Sequence, residues 1–475
     1  MAKLNNITFS DNLGFGLPYG KVLEYENLKG INNFSFTSIP KENIHIVSLK
    51  ERNTKSLIDE LYLNDVLNII KQEEKYYVKT GNYIGVIYDK EQNIKIEITS
   101  RFGDKFLQHI LNYINNIYLP DVKFVAIKKE SKNETQFQFI LAHLFIQSLE
   151  KITAVFGLPK IYTTQHENSY KVRGSLDIKH LTNHNIPLRN RLKSNYREQT
   201  EVQEIIDVLY NAMSIIDKKF GGIIIARLLS LKNHLKEKKS TRFVNHNVVQ
   251  QALNHKALLH PSYSGYKQVL RYAEFIINNY DNMEDHKGKI ETKAYLINIA
   301  ELFEIYIEKV LRKGLNDVGW SVFAQKEIDT YTEKFFSRKL KPDIVLEKDN
   351  KVIVFDIKYK RMEYRGVDKL GMGDVDRNDF FQIHTYMSYY QNQSDKYYQN
   401  QSDNILLGGG LLYPIEGDLD NKFAHSNFFD NDEHFFIIDG INLFGINDET
   451  SQEEFKKREN DFIDRIKKII NKNYD

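Results

Sequence analysis

The segment KPDIVLEKDNKVIVFDIKYK (341–360) gathers side chains able to do chemistry on a short stretch of predicted strand. Two apolar runs flank EKDN, a polar turn, so they are expected to pair as a hairpin. Along the second run side chains alternate. Ile353, Phe355 and Ile357 fall on one face, and Val352, Val354, Asp356 and Lys358 on the other. Asp343, thirteen positions before Asp356, lies on the partner strand within reach of the same place. Two carboxylates and an ammonium at the end of an apolar hairpin are costly to desolvate unless paired with one another or bound to a metal.

That set suits phosphodiester hydrolysis. Two carboxylates, waters and a phosphate oxygen complete the octahedral oxygen shell that Mg2+ requires, at about 2.0–2.1 Å. The metal would polarise the phosphoryl oxygen and acidify a bound water. Lys358 is then placed to orient that water and offset charge in the transition state, with the carbonyl of Ile357 as a further ligand. The competing reading is a surface hairpin on which Asp356 and Lys358 form a same-face ion pair. Two features favour the site. Glu304 stands beside Phe303 at the margin of an apolar helical stripe, where it can face the hairpin. Gln382 and Tyr386, at i and i+4, share one face of a later helix and can direct an amide and a phenol toward the acidic pair.

The elements that must position these residues follow from periodicity. Residues 1–125 are strand-rich: YYVKTGNYIGVIYD (76–89) and NIKIEITS (93–100) alternate at period two, joined through DKEQ, and FLQHILNYI (106–114) is helical. Residues 126–289 form a mainly helical middle region. Its helices at 135–157 and 200–222 end in glycine, 265–280 is a third, and SYKVRGSLDI (169–178) is extended. Residues 290–475 begin with TKAYLINIAELFEIYIEKVLRKG (292–314), read as one amphipathic helix striped by Leu296, Ala300, Phe303, Ile307 and Val310 and closed by Gly314. Strands are expected at 320–328, 341–347, 351–360, 405–414 and 434–444, with a helix at 374–390. A last helix opens at Ser451 and Glu454 as a capping box. The fold class is therefore α/β and multidomain: a strand-rich N-terminal domain (1–125), a helical middle (126–289), and an α/β domain carrying the chemistry (290–475).

Composition narrows the alternatives. The 475 residues suffice for several domains at about 100–200 residues each. Zero cysteines exclude disulfide scaffolds, thiolate metal sites and thiol catalysis. The opening residues contain no apolar stretch of secretory type, and no apolar run is long enough to span a bilayer, so a cytoplasmic location without membrane contact is expected. The formal charge of +2, from 66 basic and 64 acidic residues, is too small for a dedicated non-specific nucleic-acid binder. Local basic runs at 189–197, 238–243 and 360–365 are candidates for phosphate contact or, more plainly, solvated faces.

Glu304, Asp343, Asp356-Ile357-Lys358 and Gln382-x-x-x-Tyr386 together resemble the PD-(D/E)xK nuclease signature with the QxxxY helix of its RecB-like branch. ELFEIYIEKVLRKG, KPDIVL, FDIKYK, DFFQIHTYMSYY and LLYP (411–414) resemble the McrC family in particular. The likeness covers about 290–445 and extends more loosely to YIGVIY (83–88), 96–114 and 172–186. It implies a C-terminal restriction-endonuclease-like domain acting with Mg2+ on DNA, within a McrBC-type modification-dependent restriction system for phage defence. Asp343, Asp356 and Lys358 would be the catalytic core, and Glu304, Gln382 and Tyr386 supporting residues. It also implies a hetero-oligomer with an AAA+ GTPase of the McrB type, on which the N-terminal domain docks and whose hydrolysis it stimulates.

The chain departs from that pattern at Ser100-Arg101, where relatives often carry Pro-Lys, and in its length. No Walker A loop is present: GLPYGKV (16–22) lacks the spacing and the Ser/Thr after lysine, so the motor must be another chain. Gly408–Gly410, inside an apolar strand, point to a bulge or a close backbone approach. His180 and His184 lack an HExxH acid and imply no zinc site. Two rivals remain at this stage, an autonomous PD-(D/E)xK nuclease and a non-catalytic activator of an AAA+ ring.

Overall fold

The computed structural model describes residues 5–14, 17, 20–24, 28, 31–47, 58–59, 61–62, 66–73, 75–89, 91–114, 134–178, 192–281, 292–329, 339–360, 376–397, 405–416, 425–428, 431–447 and 449–474. His180, His184 and most of the basic run 360–365 lie outside them. The chain divides into two compact units. One comprises 1–126, 131–137 and 289–475, and the other 127–130 and 138–288. The stretches read from sequence as first and third thus share one unit.

In that unit a five-stranded sheet is built from β1 (Asn5–Ser10), β2 (Ile44–Val47), β3 (Tyr83–Asp89), β4 (Ile94–Thr99) and β5 (Lys293–Asn298), in the order β1-β4-β3-β5-β2. β5 is the surprise. Residues 293–298, expected to open a long helix, pair antiparallel with β3, Leu296 opposite Gly85, and parallel with β2. Ala294, Leu296 and Ile297 are buried in the sheet, and burial on a ladder overrides helical periodicity. A Cβ at Gly85, whose φ is +148°, would lie 2.0 Å from the Tyr295 carbonyl oxygen, so only glycine lets β5 approach. Residues 76–89 likewise break into two strands. Lys75–Thr80 joins a separate four-stranded sheet with Lys21–Glu24, Phe34–Ser35 and Leu67–Gln72.

α1 (Gly103–Ile114) follows β4, and α2 (Ile299–Leu315) follows β5 directly. Asn298 caps α2, its side chain accepting from the N–H groups of Ala300 and Glu301. The six-stranded sheet contains β6 (Ser321–Ala324), β7 (Ile344–Lys348), β8 (Lys351–Ile357), β9 (Ile405–Leu412), β10 (His425–Phe428) and β11 (Asn431–Asp439), in the order β6-β7-β8-β9-β11-β10. β7 and β8 form the expected hairpin. Its two turn residues, Asp349 and Asn350, have φ of 47° and 62°, the left-handed pair that a tight hairpin turn demands. β8, β9 and β11 run parallel, and their near-continuous apolar runs suit strands covered on both faces.

α3 (Arg377–Tyr397) covers this sheet, packing Ile383, Met387 and Tyr390 with Val345, Val352, Val354, Leu406 and Leu411. α4 (Gln452–Tyr474) packs on α2. The Ser451 hydroxyl accepts from the Glu454 N–H at 3.2 Å, half of the expected capping box. Glu459 binds both Tyr306 and His109, at 2.7 and 2.6 Å, and so ties α4 to α2 and α1.

The second unit carries the expected helices, among them Gln203–Phe220 and Tyr266–Asp281. It also holds a long antiparallel ribbon, Lys160–Ser169 paired with Leu192–Glu201 in continuous register. Gly157, at φ +66°, ends the helix Glu134–Phe156 as expected. Among the described residues no helix is long and apolar enough to cross a membrane.

Candidate active site

The hairpin brings its two acids together through register. Ile344 pairs with Phe355, so Asp343, one residue before β7, stands opposite Asp356 near the end of β8. The Ile357 N–H donates to Asp343 Oδ2 at 2.8 Å, and the Gln325 N–H donates to the Asp343 carbonyl at 2.9 Å. Asp356 is 1% exposed. Lys358 follows the end of β8 and is held there by its own N–H, which donates to the Leu412 carbonyl at 2.8 Å. Its Nζ lies 2.7 Å from Asp356 Oδ2.

α3 closes the site from above the sheet. Lys358 Nζ donates to Gln382 Oε1 at 2.9 Å, and Gln382 Nε2 donates to the Tyr386 hydroxyl at 2.9 Å. That hydroxyl donates to the Lys341 carbonyl at 3.3 Å, just before Asp343. Lysine can only donate, which fixes the amide's orientation. The i, i+4 pair on α3 therefore joins both strands of the hairpin, and five of the residues singled out from sequence, Asp343, Asp356, Lys358, Gln382 and Tyr386, converge.

Glu304 is half-buried on α2, and the described residues contain no group of three or more acids and histidines arranged to hold a metal. The acid that α2 buries is Glu301, 2% exposed.

Sequence reasoning missed Asp379. It sits one helical turn before Gln382, buried, with Oδ2 accepting from the Tyr413 hydroxyl at 2.9 Å and lying 2.8 Å from Lys360 Nζ. Its Oδ1 is 3.8 Å from Lys358 Nζ. Lys360 also reaches Asp376 at 3.2 Å. The i, i+3 spacing from Asp379 to Gln382 was a usable signal, because it places both on the helical face that carries Tyr386.

Electrostatics separate the roles of the two partners at the heart of the site. Burial, and then the Asp343 carboxylate, push the Asp356 carboxyl up to about 8 against the pull of Lys358. For Lys358 burial opposes the ammonium, but Asp356, Asp379 and Asp343 together hold its pKa above the ordinary value. Burial also raises the Tyr386 phenol. The site therefore pairs a lysine whose charged form is favoured with a carboxyl that burial and Asp343 make reluctant to ionise.

The donor set fits Mg2+. Every candidate ligand is a hard oxygen, and Asp356 Oδ2 is buried beside the Lys358 ammonium, 2.7 Å away. Two carboxylates are what this ion commonly takes from a protein, leaving positions for water and phosphate.

The family model for McrBC, described as the McrBC 5-methylcytosine restriction system component, matches residues 78–398, about two thirds of the chain. The chain belongs to this McrBC family. No curated protein matches it. Among solved structures it is similar to a chain of the refined half-complex from a tetradecameric assembly of Thermococcus gammatolerans McrB AAA+ hexamers with bound McrC. There the identity is 14%, the TM-score is 0.50, and the match covers 97% of this chain and 100% of that one. It is also similar, with 13% identity and a TM-score of 0.33, to a chain of the cryo-EM structure of the Thermococcus gammatolerans McrBC complex, over 66% of this chain and 88% of that one. At these identities the first likeness speaks for the fold. The McrBC match runs from β3 through α3, and so includes the hairpin, Lys358, Gln382 and Tyr386.

Proposed function

We propose that this chain is the Mg2+-dependent DNA endonuclease subunit of a McrBC-type restriction system, with a PD-(D/E)xK nuclease domain at residues 290–475. It works with an AAA+ GTPase of the McrB type whose hydrolysis it stimulates. The observation that carries the reading is the convergence of Asp343, Asp356 and Lys358 at the end of one hairpin, in a chain of the McrBC family.

Asp343 and Asp356 would hold Mg2+, with the Ile357 carbonyl as a third donor. When bound, the ion supplies Lewis-acid activation of the phosphodiester and of a water. The protein's own residues do the rest. Ile357 N–H fixes the Asp343 carboxylate, so that ligand is oriented before any cation enters. Lys358, whose charged form the surrounding acids favour, orients the attacking water and offsets the negative charge that grows on the phosphoryl oxygens. Gln382 holds the Lys358 ammonium from the side of α3, and Tyr386 holds Gln382. Glu304 is assigned a supporting place on α2.

The decisive experiment is plasmid cleavage in Mg2+, wild type against Asp356→Ala, with and without an AAA+ partner of the McrB type and GTP. Cutting that requires the partner, the nucleotide and Asp356 supports the reading. Cutting without the partner replaces it with an autonomous nuclease. Stimulated GTPase without any cutting replaces it with a non-catalytic activator.

A further inference from the structure

Arg101, noted above only as a departure from the expected Pro-Lys pair, occupies the turn between β4 and α1. Its side chain is 2% exposed, and every arm of the guanidinium is engaged. Nη1 lies 2.8 Å from Asp11 Oδ2, which is itself fully buried just after β1. Nε lies 2.7 Å from Glu416 Oε1, a short way beyond β9. Nη2 donates to the Tyr359 carbonyl at 2.7 Å. The guanidinium also sits over the rings of Phe102 and Tyr359, at 4.6 and 4.4 Å.

Tyr359 is the residue after Lys358. The β8 ladder ends at Ile357, so the backbone carrying the lysine has left the regular pairing. Two hydrogen bonds from outside hold it: Lys358 N–H to Leu412, and the Arg101 fork to Tyr359. A guanidinium presents donors in a rigid planar fork, so it can bind two carboxylates and a carbonyl at once, which an ammonium cannot reproduce. The Tyr359 ring, packed against Phe102 and Phe303, is buried on the same side.

We propose that Arg101 is a positioning residue for Lys358: from the five-stranded sheet it fixes the backbone that aims the lysine at the hairpin carboxylates. The inference rests on the nuclease reading for its catalytic meaning. It makes the N-terminal sheet a determinant of the site's geometry, in addition to any role in docking.

The test uses the full chain with its AAA+ partner. Arg101→Lys keeps a cation for Asp11 and Glu416 and gives up the Tyr359 contact. Expected is a kcat for DNA cleavage lower by about 100-fold, the cost of a small misplacement at a reacting centre, with KM for DNA little changed and a loss of kcat larger than the fall in Tm accounts for. Amide hydrogen exchange should quicken over Ile357–Lys360. Glu416→Gln, which loosens another arm of the same fork, should keep kcat near wild type. If Arg101→Lys fails to fold, the double variant Arg101→Met with Asp11→Asn removes both buried charges together and carries the same expectation. Wild-type kcat and wild-type exchange in Arg101→Lys overturn the proposal. So do equal losses of kcat in Arg101→Lys and Glu416→Gln that follow their Tm values, since that pattern marks a scaffold role. The exchange measurement needs no cleavage, so it decides the clamp even if the wild-type chain does not cut and the nuclease reading falls.

Discussion

The backbone N–H of Ile357 donates to Asp343 Oδ2 across the hairpin at 2.8 Å, so the strand that carries Asp356 also orients the carboxylate facing it. This relationship separates charge from fold in a single substitution. In Asp343→Asn the side-chain carbonyl can still accept from Ile357, and the hairpin should persist with Tm within a few degrees of wild type. On the proposed reading the lost negative charge removes a metal ligand. Cleavage should fall by about 100-fold or more, a loss of the size seen when one preorganised electrostatic group is removed. Full activity in a folded Asp343→Asn protein, measured on plasmid DNA, would remove Asp343 from the site.

The pH dependence of metal binding follows from Asp356. Its carboxyl, raised to about 8 by burial and by Asp343, holds a proton in the folded, metal-free protein at neutral pH. On the proposed reading Mg2+ would displace that proton, so its affinity should rise from pH 6 to pH 8, with proton release seen by calorimetry in two buffers of different ionisation enthalpy. The sign for stability is the opposite. Between the ordinary carboxylate range near 4 and about 8 the folded state binds more protons than the unfolded state, so stability without metal should fall as pH rises through that window. Lys358, held above its ordinary value, stays charged throughout it. Urea unfolding of Asp356→Asn should lose most of this slope, and an unchanged slope would show that other groups set it.

The amide and phenol on α3 are separable. Gln382→Ala takes away the acceptor that holds Lys358 Nζ and should lower kcat by about tenfold, in line with the loss of one orienting contact. Tyr386→Phe leaves the buried ring in the core and removes only the hydroxyl that Gln382 and Lys341 share. Its stability cost should be about 1 kcal/mol, with the smaller effect on cleavage of the two. A Tyr386→Phe protein less active than Gln382→Ala would reverse the proposed order of support.

The core of the site was legible because its logic is local. A two-residue turn, Asp349-Asn350, and period-two alternation force Asp343 and Asp356 opposite one another, and i, i+4 spacing forces Gln382 and Tyr386 onto one face. The parts that were not legible depend on distant segments. Residues 293–298 carry helical periodicity, yet they become β5 because β3 and β2 offer ladder partners that no local pattern reveals. Arg101 looked like a departure from a motif, and its partners Asp11, Tyr359 and Glu416 lie up to 315 positions away. For Asp379 the i, i+3 spacing to Gln382 was the one local sign, and its partners Lys360 and Tyr413 are brought to it by the parallel strands beneath α3.

Asp379 should matter to stability as much as to cleavage. Asp379→Ala leaves the buried Tyr413 hydroxyl without its acceptor and Lys360 with Asp376 as its remaining carboxylate, a loss of about 1–3 kcal/mol. Asp379→Asn keeps an acceptor for Tyr413 and should recover a large part of that loss in urea unfolding. Equal destabilisation by Ala and Asn would mean that the charge, and not the hydrogen bond, is what this position supplies.

The glycine run on β9 yields a purely steric prediction. A bulge or a close backbone approach was expected at Gly408–Gly410, and the structure has both: the register with β8 shifts between Val352 and Ile353, which faces Gly408. A Cβ added at Gly410 would stand 1.9 Å from the Ile437 carbonyl oxygen of β11. Backbone cannot swing aside as a side chain can, so Gly410→Ala must push β9 and β11 apart. At Gly409 the added carbon would meet the Val354 carbonyl oxygen at 2.4 Å and the Met387 side chain at 3.0 Å. Each substitution should destabilise the protein by about 1–3 kcal/mol or more, as overpacked cores do. Gly409→Ala should in addition displace α3, and with it Gln382, so its cleavage rate should fall further than its Tm implies. Gly410→Ala, which presses on β11 instead, should show a cleavage rate that follows stability alone, and the comparison of the two in one cleavage and unfolding series checks whether α3 is held in place by the absence of a side chain on β9.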